Sequence, residues 1–149
     1  MKTIVVLLAA CAVVCVSCKK STEDKLVTAP VIAMADTLAR GLFTDNTSAG
    51  HHLSGKAYLL KEPGGNILIR LDEWSVVNGP NVDIVLTKTA AYSTDHIKIA
   101  HLDGTPGQVT RGSVNYTIDD LTDTDKYPYI VFWCVDYAVF FGSAKLEKQ

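Results

Sequence analysis

The run Ile130-Val131-Phe132-Trp133-Cys134-Val135-Asp136-Tyr137-Ala138-Val139-Phe140-Phe141-Gly142 most constrains what this chain can fold into. It is rich in β-branched and aromatic side chains, which suit pleated, well-buried strands. Seven of the twelve aromatics lie between Tyr127 and Phe141, so the centre of the core belongs here. Asp136 interrupts the run, which predicts two strands joined by a tight bend. On the first, Ile130, Phe132 and Cys134 share one face, and Val131 and Trp133 share the other. Cys134 is therefore either packing or chemistry.

Short alternating segments repeat along the chain before that run. His51 to Lys61 sets Leu53, Gly55, Ala57 and Leu59 on one side. Glu62-Pro63-Gly64-Gly65-Asn66 is a turn signal. Ile67 to Trp74 alternates again, and the two segments predict a β-hairpin. Asn78-Gly79-Pro80-Asn81 is the next turn, followed by alternation from Val82 to Lys88. Ile97 to Leu102, Val114 to Ile118, Tyr127 to Cys134 and Tyr137 to Leu146 complete the set. The expected fold is all-β, a single antiparallel β-sandwich or barrel of about eight or more short strands. With 149 residues the chain has room for one domain, large enough to bury a core without disulfides. Val31 to Ala39 fits a strand or a short helix equally well.

The N-terminus has a different character. Residues 1–17 carry Lys2 and then an uncharged apolar run from Ile4 to Val16, which is the pattern of a secretory signal. Cys15-Val16-Ser17-Cys18 followed by Lys19-Lys20 resembles the lipobox of bacterial lipoproteins. That resemblance implies that Cys18 becomes the diacylated first residue of a protein held on a membrane in the bacterial envelope, facing the periplasm or the cell surface. Leu8-Ala9-Ala10-Cys11 is similar, but the apolar run continues past it. Cys15 stands where Leu or Ile is usual. The alternative is an ordinary cleaved signal that leaves Cys18 as a free thiol. Residues 18–37 are expected to be a tether, disordered over residues 19–30, and residues 38–149 the domain. With Cys11 and Cys15 removed and Cys18 acylated, Cys134 is alone and no intramolecular disulfide can form. A net charge of −2 with no strong basic stretch argues against a nucleic-acid partner.

Several features occur in a recurring order. They are Gly41-x-Phe43, His51-x-x-Ser54-Gly55, Asn78-Gly79-Pro80-Asn81-Val82-x-Ile84-x-Leu86-Thr87, Gly112-x-x-Asn115-Tyr116-x-Ile118, Val131-Phe132-Trp133-Cys134 and Phe141-Gly142-x-Ala144-x-Leu146. Over residues 38–147 the chain resembles the DM-thirteen domain family, an electron-transfer module often found beside DOMON domains in animal proteins. The chain departs from the pattern at Ile118-Asp119, where a Pro often follows, and at Tyr137, which stands at a usual Phe. The family's cysteine falls on Cys134. The resemblance implies a redox thiol there, or a ligand to a prosthetic group, and a redox partner protein.

The residues themselves leave alternatives open. A thiol reacts as its thiolate, and apolar neighbours such as Phe132, Trp133 and Val135 disfavour that form. His51 and His52 are adjacent and diverge if they lie on a strand, as do His96 and His101. No Cys-x-x-Cys-His haem attachment and no zinc spacing occurs. His51 and Cys134 brought together by the fold would offer a site for copper or haem; the commoner outcome is a surface histidine. Asp119, Asp120, Asp123 and Asp125 lack the glycine and glutamate of a calcium loop and read as a solvated acidic stretch. Two functions follow, neither a stand-alone enzyme. One is a lipid-anchored redox domain working through Cys134. The other is a non-catalytic β-sandwich that binds an envelope partner or ligand, with Cys134 in the core.

Overall fold

The computed structural model describes residues 24–32, 35–46, 49–102, 104–119 and 125–149. Residues 1–17, expected to be a signal segment, Cys18, Asp120 and Asp123 lie outside them. Ten strands follow one another: β1 (Lys25–Thr28), β2 (Asp36–Asp45), β3 (Ser54–Lys61), β4 (Ile67–Val77), β5 (Val82–Thr87), β6 (His96–Leu102), β7 (Val109–Thr117), β8 (Tyr129–Cys134), β9 (Val139–Lys145) and β10 (Glu147–Lys148). They form one sheet in the order β1-β7-β4-β3-β2-β9-β8-β5-β6, with β10 added beside β2. The sheet curls until β6 comes against β7, giving a half-barrel with a single inner face.

The all-β single domain expected from the alternation is what forms, with two corrections. The sheet is mixed, because β1 runs parallel to β7. Part of the stretch expected to be tether also belongs to the sheet. Lys25–Thr28 pairs with Thr110–Ser113, and Ala29 N–H continues the ladder to Ser113 O at 2.8 Å. Val31 to Ala39 resolves in favour of a strand from Asp36.

The inner face collects Ala57, Leu59, Ile69, Leu71, Trp74, Val76, Val82, Ile84, Leu86, Ile130, Phe132, Phe141 and Ala144, all essentially inaccessible. Simple alternation would not give this set, because Leu71 and Trp74 differ in parity. Lys56 opposes Asp72 and Ser54 opposes Ser75, while on the other side Val114 opposes Leu71 and Gly112 opposes Trp74. β4 thus holds one residue more than either neighbour. Glu73 takes it up with φ 49°, and the bulge turns Trp74 inward. Gly55, at φ 115°, faces this bulge, where a Cβ would sit 2.4 Å from Trp74 Cα. A second bulge in β9 leaves Phe141 between Phe140, opposite Trp133, and Gly142, opposite Phe132.

The outer face is held to the N-terminal segment by polar contacts. Arg70, almost wholly buried, donates to Pro30 O at 2.9 Å, to Asn115 Oδ1 at 3.0 Å and to Asp72 Oδ1 at 2.7 Å. Ser113 Oγ also donates to Asp72 Oδ1, at 2.8 Å. Burial by itself raises the Asp72 carboxyl, but the Ser113 hydroxyl and the Arg70 guanidinium outweigh it and hold the group below its ordinary value of 3.8. A depressed carboxyl contributes stability that is complete above its unfolded value and lost as pH falls through the folded one. Asp72→Asn should therefore lower the urea midpoint at neutral pH and flatten its decline on acidification below 3.8.

β1 depends on Gly112, whose φ is 132° and whose Cβ would lie 1.7 Å from Val27 O. Gly112→Ala should detach β1 and cost about 1–3 kcal/mol. Faster tryptic cleavage after Lys25 and lost exchange protection along β1 would report it; unchanged protection would contradict the close-approach account.

Candidate functional site

Cys134 closes β8, paired with Val82 on β5 and Val139 on β9. It is 2% exposed, on the inner face with Ile130 and Phe132. Trp133 points outward and stacks on Tyr92 at 4.6 Å and 8°. The thiol looks onto Gly79. A Cβ on Gly79 would stand 3.5 Å from Cys134 Sγ, 3.1 Å from Val82 Cγ2 and only 2.8 Å from Phe141 Cζ. Glycine is required here for space rather than for its backbone freedom. Phe141, aimed inward by its bulge, carries His51 on its ring: centroids 3.5 Å apart and planes within 7°.

His51 lies just before β3, not on it, and its ring goes to Phe141 while His52 faces solvent. The Val77 carbonyl can only accept, so His51 Nδ1 carries the proton of their 3.1 Å contact. Val77 N–H returns a bond to His51 O at 2.7 Å. His52 is exposed at φ 47° and lies 3.5 Å from Asp45 Oδ2. The fold therefore brings His51 and Cys134 to one end of the half-barrel, linked through Phe141 and Gly79. Among the described residues no hydrogen bond or ion pair reaches the Cys134 thiol. The remaining histidines are engaged elsewhere, His96 with Ser93 O at 2.7 Å and His101 with Asp83 Oδ1 at 2.9 Å.

Two turns meet at this end of β8, one of them next to Cys134 in the chain. Val135 N–H donates to Asn81 O at 2.8 Å, and Asn81 Nδ2 donates to Asp136 Oδ1 at 2.6 Å. Asp136 is exposed, lies past the end of β8 and is bonded to Asn81. Asn78, buried beside this clasp, donates through Nδ2 to Thr110 Oγ1 at 2.9 Å, and its backbone exchanges bonds with Gln108 and Gly107. Its Oδ1 is buried without a partner. A Cβ on Gly104 would fall 1.7 Å from Asn78 Nδ2, so that loop also closes only around glycine. Sequence reading marked residues 78–81 as a turn and missed the clasp, whose signal was an Asn and an Asp at two turns far apart in the chain.

Copper and haem can be tested against these donors. No group of three or more His, Cys, Asp or Glu side chains is placed to hold a metal among the described residues. One enclosed sulfur and one imidazole whose Nδ1 is committed to Val77, joined only through Phe141, do not make a ligand set. The residues present do not fit a metal or haem iron held between His51 and Cys134.

The module these features define is an all-β domain with a cysteine enclosed at one end of a curled sheet. Residues 43–146 match the family described as electron transfer DM13, and the chain belongs to that family. No curated protein and no solved structure matches it.

Gly79→Ala should press on Phe141 and Val82 and cost about 1–3 kcal/mol by overpacking, read from urea unfolding. Asp136→Ala removes only the side-chain half of the clasp. It should leave the fold intact and raise the rate at which a maleimide labels Cys134 in the folded protein; an unchanged rate would show that the clasp does not control access.

Proposed function

We propose that this protein is a membrane-anchored envelope lipoprotein whose domain takes part in electron transfer through Cys134. Membership of an electron-transfer family supports the general role. The observation that carries the residue-level reading is the construction around the thiol. The thiol lies at a strand end against Gly79, where no side chain intervenes, and the turn of Asp136 that follows it is hydrogen-bonded to the turn of Asn81. The chemistry asked of Cys134 is two-electron oxidation. Its thiolate attacks a peroxide oxygen, the O–O bond breaks, the sulfur becomes a sulfenic acid and the peroxide is reduced to water or an alcohol. A second thiol then forms a mixed disulfide with release of water. The partner is a redox protein or small thiol of the envelope.

A second reading is favoured by one specific observation. At 2% exposure and without a hydrogen bond, Cys134 has the surroundings of a core residue. The domain would then be a non-catalytic binding module. Folded protein treated with hydrogen peroxide and a sulfenic-acid probe separates the two. Reversible modification of Cys134, with the native circular dichroism kept, supports the redox role. Labelling that appears only in denaturant leaves the binding module, and Cys134→Ser would then act on stability alone by burying a hydroxyl.

Anchoring through Cys18 is part of the same proposal and rests on the lipobox-like Val16-Ser17-Cys18. Cys18→Ala should release the protein from membranes or stall its processing. Continued fractionation of the variant as an acylated protein would assign the anchor to another cysteine.

A further inference from the structure

We infer that the half-barrel rests on the bilayer by its Cys134 end, with Tyr137, Val135 and Pro80 in the lipid interface. The inference rests on the reading of Cys18 as the acylated residue and adds an orientation to it. Strand directions carry the argument. Lys25 opens β1 opposite Thr110, beside the start of β7. Val109 at that start pairs with Val77 at the end of β4. Val77 leads through Asn78, Gly79 and Pro80 into Val82, which pairs with Cys134. The chain therefore enters the domain at the end that holds the thiol. The turn of Glu62 to Asn66 is at the other end, the length of β4 away.

The entry point is fixed. β1 is hydrogen-bonded to β7, closed over Gly112, and followed by Pro30, whose carbonyl accepts from Arg70 and Asn115. Asp24 meets Arg111 at 3.1 Å. Six residues, 19–24, then separate Cys18 from Lys25. A polypeptide of that length spans at most about 25 Å when fully extended. β4 alone, at 11 residues, is about 35 Å long. The thiol end reaches the bilayer on this span; full inversion onto the Glu62–Asn66 end would need a span longer than the tether, and that end otherwise approaches the bilayer only if the domain lies on its side.

The surface at the near end suits a lipid interface. Tyr137 is 71% exposed, Val135 is 45% exposed and Pro80 is also exposed. Leu26, near the entry point, is 71% exposed. The Asp136 carboxylate between Val135 and Tyr137 is bonded to Asn81. Asp45 faces His52. Tyrosine is at home where an apolar ring meets headgroups. Two acyl chains hold the protein to the membrane, and this apolar tip then needs to supply only orientation. A redox partner of Cys134 would meet the domain at the membrane surface.

The test uses the full processed protein in phosphatidylethanolamine–phosphatidylglycerol vesicles carrying brominated acyl chains. Tyr137→Trp and Gly64→Trp place a fluorophore at the two ends. Tyr137 is exposed, and a Cβ at Gly64 meets nothing within 4 Å, so neither change disturbs the fold. Unsubstituted protein supplies the background of Trp74 and Trp133, and mass spectrometry of the N-terminal peptide reports acylation of Cys18. The expected result is acylated Cys18, blue-shifted emission for Tyr137→Trp, and bromine quenching several-fold stronger there than for Gly64→Trp. Equal quenching, or stronger quenching of Gly64→Trp, in acylated protein overturns the orientation and leaves the anchor standing. Unacylated Cys18 overturns both.

Discussion

A curled sheet has one inner face, and the two walls of that face must find each other. Here they meet at Phe132. Its ring takes the edge of Phe43 at 5.4 Å and 86°, and Trp74 lies tilted beside it at 5.7 Å. Phe132 comes from β8, Phe43 from β2 and Trp74 from β4, so a single cluster ties strands spread across most of the sheet. Full burial of a side chain of this size is worth about 1.5–3 kcal/mol, and edge contacts between rings add to it. Of the aromatics concentrated at the C-terminal end of the chain, Phe132 supplies this meeting point.

The cluster forms only because the strands are irregular. Without the extra residue at Glu73, Trp74 would point to the outer face and its place would fall to a neighbour of opposite parity. Without the extra residue at Phe141, the ring that supports His51 and lies against Gly79 would not turn inward. Each of these two bulges is matched by a glycine close by: Gly55 against Trp74, Gly79 against Phe141. Bulges and glycines thus act together, one aiming a large side chain and the other leaving the volume it fills.

This accounts for what was legible in the sequence and what was not. Alternation revealed the β3–β4 hairpin, β5, and the break of β8 from β9 at Asp136, because period-2 burial is a local property. It also placed Cys134 with Ile130 and Phe132. The bulges were invisible, since an extra residue is defined by the partner strand and not by the strand itself. β1 was read as tether for a related reason. Lys-Leu-Val-Thr is too short and too polar to announce a strand, and its pairing with β7 reaches across 85 positions. At the site, the motif residues Gly79, Cys134, Phe141 and His51 were marked individually. Their shared neighbourhood, and the bond from His51 to Val77 that sets its tautomer, arise from long-range packing.

The burial of Cys134 does not by itself decide its role, because what encloses it is unevenly held. Below the thiol are Val82 and Phe141, packed in the core. At the strand end two turns, one of them next to it along the chain, are joined by one backbone and one side-chain hydrogen bond, the latter at the surface. An intramolecular hydrogen bond contributes only about 0.5–1.5 kcal/mol net. Ala138 holds a left-handed φ of 51° in the same turn, which favours no tighter closure. Opening of such a turn is a local event, far less costly than unfolding, and regions of this kind occupy the low end of a protein's range of local stabilities. A thiol at 2% exposure in the resting fold thus sits at a strand end, packed against the core and followed directly by a weakly held turn.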